Sequence, residues 1–156
     1  MKWEKQFKII FLMILFLFAG CQKEIQYDSV QKESEMKHNM QLIINQHSFD
    51  VTLFDNQTVK EFISQLPMTI TMQDLHNNEK YIDLKTSFTT DEEKVNQIHA
   101  GDLMLFQDNC LVLFYEDFQT SYAYTKMGYV HQSEQLKKAL GQKDIVIRLE
   151  NKKMEE

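Results

Sequence analysis

The chain is poor in the residues that build phosphate loops, staple small folds or break regular structure. It has four glycines, scattered rather than clustered, which excludes a glycine-rich phosphate loop. Its one proline, Pro67, marks a single boundary. Two cysteines, Cys21 and Cys110, allow one disulfide at most. The net charge is −6 and no stripe of lysine or arginine interrupts it, so nucleic-acid binding, which draws most of its affinity from neutralised phosphates, is excluded. The longest apolar run, Ile9 to Phe18, is ten residues, half of the roughly 20 that a membrane-spanning helix needs.

What is present at the start has a secretory layout. Lys2, Lys5 and Lys8 form a basic stretch, the apolar run follows, and small residues Ala19-Gly20 precede Cys21. The segment Leu17-Phe18-Ala19-Gly20-Cys21 resembles a lipobox, with Phe18 where an aliphatic residue is usual. That resemblance implies that residues 1–20 are a lipoprotein signal peptide and that Cys21 becomes the lipidated first residue of the mature protein. Two acyl chains, each buried methylene contributing about 0.8 kcal/mol, suffice for stable anchoring where one is marginal. The expected location is therefore the extracytoplasmic face of a cell membrane, with the membrane as partner through the lipid on Cys21. Lipidation leaves Cys110 without a disulfide partner, and stability must then come from the core.

Residues 21–39 read as the lipidated cysteine and a flexible tether, since little in them can bury a core. A flexible chain of that length spans on the order of 20–25 Å. Residues 40–150 read as one domain, of a size that supports one core, and residues 151–156 as a disordered tail. Within the domain, Leu42 and Ile44, then Phe49, Val51 and Leu53, alternate about a turn at Asn45–Ser48, which predicts a hairpin. Thr58-Val59-Lys60-Glu61 has the form of a capping box, and Val59, Phe62, Ile63 and Leu66 follow at helical spacing before Pro67.

Period two returns at Met68, Ile70 and Met72, and again at Tyr81–Leu84 beyond a polar loop at Asp74–Lys80. Ser87–Gln97 reads as irregular. Leu103–Phe106 and Cys110–Tyr115 flank the turn Gln107-Asp108-Asn109, and the second of these is apolar on both faces, as a central strand is. Ser121–Thr125 is a further strand with Tyr122 and Tyr124 on one face. Ser133 is placed to cap a helix carrying Leu136, Ala139 and Leu140 and stopped by Gly141, and Ile145, Ile147 and Leu149 alternate in a last strand. About eight strands and two helices predict a mainly β fold, closed as a barrel or packed as a sandwich.

Three stretches in order carry a family resemblance: His99-Ala100-Gly101-Asp102-Leu103-Met104-Leu105-Phe106, Cys110-Leu111-Val112-Leu113-Phe114-Tyr115, and Thr120-Ser121-Tyr122-Ala123-Tyr124-Thr125-Lys126-Met127-Gly128. With Asn78-Glu79-Lys80-Tyr81 and the helix ending at Leu66-Pro67, the chain from about Met40 to Glu150 resembles the small bacterial cyclophilin-like domain family. The resemblance implies a closed eight-stranded cyclophilin-like barrel with two short helices.

True cyclophilins isomerise prolyl bonds with an arginine set beside phenylalanine, methionine and glutamine. Here the sole arginine, Arg148, stands in the last strand without those neighbours, and Met72-Gln73 is the nearest echo of the methionine-glutamine element. A degenerate peptidyl-prolyl isomerase acting on exported proteins is therefore the alternative, since fold alone does not carry function. His38, His47, His76, His99 and His131 fall in tether, turns or loops without metal-ligand spacing, and Cys110 begins an apolar strand with no cation near it in sequence. Asp91-Glu92-Glu93 reads as a solvated acidic loop. No catalytic residue, metal or cofactor is implied.

The aromatic group Tyr115, Phe118, Tyr122 and Tyr124, with Lys126, is the candidate ligand-binding site. Such rings either pack the barrel wall or line a shallow groove for a peptide or small molecule. The leading expectation is a non-enzymatic, membrane-anchored binding domain. Cys21→Ser is expected to abolish incorporation of labelled palmitate and to misprocess or release the protein; a labelled, lipid-modified mature form persisting in that variant would contradict the lipobox.

Overall fold

The computed structural model describes residues 38–152. The expected signal peptide, Cys21 and most of the tether lie outside the described residues, as does the tail from 153. The elements in order are β1 (His38–Ile44), β2 (His47–Leu53), α1 (Gln57–Ile63), β3 (Met68–Leu75), β4 (Glu79–Asp83), β5 (Glu93–Lys94), β6 (Gln97–Ile98), β7 (Asp102–Phe106), β8 (Cys110–Phe114), β9 (Phe118–Gln119), β10 (Ala123–Val130), α2 (Ser133–Leu140) and β11 (Ile145–Asn151). Eight of the strands pair antiparallel in the order β2-β1-β11-β3-β4-β8-β7-β10, and β10 pairs back onto β2. The result is the closed eight-stranded barrel with two helices that the sequence predicts. Strand β5 extends β10, while β6 and β9 form a separate two-stranded ribbon.

Local chemistry sets most element ends, with small departures from expectation. The first hairpin turn contracts to Asn45-Gln46, Asn45 taking the left-handed conformation that asparagine tolerates (φ 54°). Asn56 rather than Thr58 caps α1, its Oδ1 accepting from Val59 N at 2.9 Å. Thr58 is free to turn its hydroxyl to the Thr89 carbonyl. Ser133 is the first residue inside α2 rather than its cap; Gln132 holds the cap position without a side-chain bond, and Gly141 ends the helix at φ 56°. Strand β11 runs on to Asn151, which pairs with Met40, so the tail starts later than residue 151. The stretch read as irregular contributes β5 and the first strand of the ribbon.

Period-two alternation sorts the strands into two cores. Leu42, Leu103, Leu105, Leu111, Leu113, Ile147 and Leu149 fill the barrel, where Val59 and Phe62 of α1 and Leu136 and Leu140 of α2 join them. The opposite faces of β7, β8 and β10 are also apolar: Met104, Val112, Phe114 and Tyr124 form a second cluster on the outer wall with Ile98 of the ribbon. A barrel wall facing water would carry polar residues there. This wall is apolar because the β6–β9 ribbon covers it through Ile98 and Phe118.

One charge is inside. Lys80, fully buried, bonds through Nζ to Asp74 Oδ1 at 2.5 Å and to the Lys143 carbonyl at 2.8 Å, and the Tyr115 hydroxyl donates to the same Asp74 oxygen at 2.6 Å. Burial works to raise the Asp74 pKa, but the bonds from Lys80 and Tyr115 win and hold it below the usual carboxylate value. This pairing is why the expected polar loop at Asp74–Lys80 shortens: both partners sit in strands, bonded across the β3–β4 hairpin.

Closure rests on a short ladder in which Gly128, Tyr129 and Val130 face Leu53, Thr52 and Val51. A β-carbon on Gly128 would overlap the Thr52 carbonyl oxygen and stand 2.9 Å from Leu53 Cα. Only glycine lets the two backbones approach this closely. Gly128→Ala is expected to lower stability by about 2–3 kcal/mol, the upper range for overpacking, as a drop in the urea midpoint followed by far-UV circular dichroism; an unchanged midpoint would show that the seam can shift freely.

Candidate functional site

The ribbon does not cover the whole outer wall. Beside it lies an open groove of about 630 Å³, the size of a small-molecule site. The β4–β8 register puts Tyr81 opposite Val112 and Asp83 opposite Cys110, and Phe106 of β7 pairs with Cys110, so their outward side chains line one continuous surface. Tyr122 and Tyr124 close it: their rings lie 5.8 and 5.6 Å from that of Phe106. Behind them Phe114 packs 5.5 Å from Tyr124 and 5.7 Å from Phe118. Such tilted and edge-on pairs contribute about 0.5–1.5 kcal/mol each beyond burial, which fixes the wall.

The polar side of the groove comes from the β3–β4 turn and from β4. His76, Asn78, Glu79 and Asp83 line it, facing Gln119, Thr120 and Ser121. Glu79 makes no side-chain hydrogen bond or ion pair with the described residues; burial pushes its pKa up, only partly opposed by the charge of His76. The same burial, reinforced by Glu79, raises the Tyr124 hydroxyl. Asn78 Oδ1 is buried without a partner, a costly arrangement for an acceptor. Cys110, half-buried, has its thiol pushed up to about 12 by burial and by Asp83. Among the described residues no group of three or more His, Cys, Asp or Glu side chains is placed to hold a metal ion.

Of the aromatic and basic residues proposed from sequence, the structure brings Phe118, Tyr122 and Tyr124 to this groove and places two elsewhere. Tyr124 is 6% exposed and forms the wall, whereas Tyr122 is 62% exposed and free to meet a ligand. Tyr115 follows β8 with inward parity and spends its hydroxyl on Asp74, so it belongs to the barrel interior. Lys126 shares the outward face of β10 but lies two residues further along, held by Glu93 at 2.6 Å. Arg148 is solvent-exposed on β11, paired with Glu150, and β11 contributes nothing to the groove. Phe106, Asn78, Glu79 and Asp83 also line the groove and are not among the candidates read from sequence. Alternation along Glu79–Asp83 was a usable sign of one shared face, but which strands adjoin it was not.

A closed antiparallel barrel of eight strands with two helices is consistent with a cyclophilin-like barrel. The chain belongs to the Cyclophilin-like family, whose model matches residues 42–150. No curated protein matches it in sequence. Among solved structures, it is similar to a hypothetical protein from Archaeoglobus fulgidus, with 14% identity and a TM-score of 0.53 over 78% of this chain and 99% of that one. It is also similar to McbB, solved in complex with tryptophan, with 16% identity and a TM-score of 0.53 over 75% of this chain and 46% of McbB. At these identities the likeness is one of fold.

The thiol gives a test of the groove's electrostatics. Native Cys110, followed by mapping its peptide, is expected to react with iodoacetamide at a rate rising about tenfold per pH unit from pH 8 to 10, because only the thiolate reacts. A plateau near pH 9 would mean that burial and Asp83 do not raise the thiol.

Proposed function

We propose that the protein is a membrane-anchored extracytoplasmic lipoprotein whose cyclophilin-like barrel binds a ligand, a small molecule or a peptide side chain, in the outer-wall groove without catalysing a reaction. The observation that carries this reading is the groove itself: rings from four segments around a cavity of ligand size, with one large ring, Tyr122, left exposed although its neighbours are packed. A well-formed apolar recess with a few convergent polar groups is the usual form of a ligand site. The signal, the lipobox and the polar stretch after Cys21 support the anchored part of the reading.

Two features support binding rather than catalysis. The groove's thiol is held protonated, and the sole arginine, which an isomerase mechanism would use on a twisted amide, is on another face.

Titration of the protein with 2-phenylethanol, followed by amide chemical shifts, is expected to perturb residues around Phe106 and Tyr124. Tyr122→Ala is expected to weaken that binding about tenfold while lowering stability by no more than about 1.5 kcal/mol, the upper range for its one ring pair with Phe106. Loss of folding on that substitution would show Tyr122 to be structural. A protease-coupled proline-peptide assay is expected to give no rate above background; catalysis abolished by Arg148→Ala would favour the isomerase.

A further inference from the structure

We propose that the groove selects small organic cations, with an ammonium held by the carboxylates of β4 and a flat apolar group held by the rings. This deepens the proposed ligand-binding reading and rests on it. The groove is lined by two carboxylates, Glu79 and Asp83, and by no lysine or arginine. Of the lysines on neighbouring strands, Lys80 points into the barrel and is bound to Asp74 and the Lys143 carbonyl, Lys126 pairs with Glu93, and Lys94 of β5 is outside the lining. His76 is the only basic side chain in the lining.

The one buried side-chain polar atom without a partner among the described residues is an acceptor as well. Asn78 Oδ1 is a buried acceptor without a donor, and the Glu79 side chain makes no bond with the described residues. An ammonium has three donors and no acceptor, so it satisfies the Asn78 oxygen and the two carboxylates, which a carboxylate or phosphate ligand, bringing acceptors, does not. Phe106, Tyr122 and Tyr124 supply the other half, because the face of an aromatic ring attracts a cation within about 6 Å of its centroid. Burial of Glu79 points the same way: its carboxyl is raised by desolvation, a penalty that an arriving positive charge offsets. The cavity, about 630 Å³, fits a small amine.

Three probes of matched ring and chain separate charge from shape: 2-phenylethylammonium, 2-phenylethanol and phenylacetate, titrated by calorimetry into the purified full chain in mild detergent at neutral pH. The ammonium is expected to bind about tenfold more tightly than the alcohol, and phenylacetate most weakly. Glu79→Gln and Asp83→Asn are each expected to remove most of that tenfold advantage and leave the affinity for the alcohol unchanged, whereas Tyr122→Ala weakens both. Equal affinity for ammonium and alcohol, or a preference for phenylacetate, overturns cation selectivity and leaves the groove as a ligand site. Binding of none of the three, or binding indifferent to Tyr122→Ala, overturns the groove reading and the selectivity with it.

Discussion

The seam between β2 and β10 is the constraint on which the other features depend. An open eight-stranded sheet would expose two edges and leave both faces to be covered. Closing it removes the edges and encloses one face as an interior. The closure uses few residue pairs and requires backbones nearer than any side chain permits, which Gly128 provides against Thr52 and Leu53. The register shift between Lys126 and Gly128 places Met127 as an extra residue just before the seam, its side chain buried in the barrel. Such a bulge bends a strand where a barrel has to turn. The helix α1 is tied to the same place, since Asn56 Nδ2 donates to the Lys126 carbonyl.

Closure also gives the outer wall its meaning. Once the interior is filled, the apolar residues of β7, β8 and β10 with the opposite parity have to be buried by something outside the barrel. The β6–β9 ribbon covers part of that wall, with Ile98 fully buried against Phe114 and its neighbours. The groove is the part left uncovered, floored by the same rings. Its aromatic character is therefore continuous with the packing of the second core, and the exposed Tyr122 is the point where that packing ends.

Much of the fold was legible. Strand alternation at Leu42–Leu53 and Ile145–Leu149 identified both the strands and their inward faces, the run at Cys110–Tyr115, apolar on both faces, marked a central strand without telling inner from outer, and the β-rich order of motifs pointed to the barrel. Helix starts were less legible, because Asn56 and Thr58 are both competent caps and only the contact of Thr58 with Thr89 decides between them. The site was half legible. Phe118, Tyr122 and Tyr124 were named from their clustering in sequence, but Tyr115 was grouped with them although its parity sends it to the other side of the wall. Glu79 and Asp83 were not among the candidates, because nothing local distinguishes a carboxylate facing water from one facing a recess.

The sequence by itself determined the local and periodic features: a basic and then apolar stretch before Cys21, strands whose period of two sets inner from outer residues, a helix bounded by Pro67 and another by Gly141. Each depends on residues within a few positions of one another. The tertiary structure alone decided which outer faces adjoin. Strand β4 lies beside β8, and β10 beside both β7 and β2, pairings across long stretches of chain that no local period encodes. That adjacency places Phe106 against Tyr122 and sets Glu79 and Asp83 in a groove walled by rings, whose lining holds His76 but no lysine or arginine.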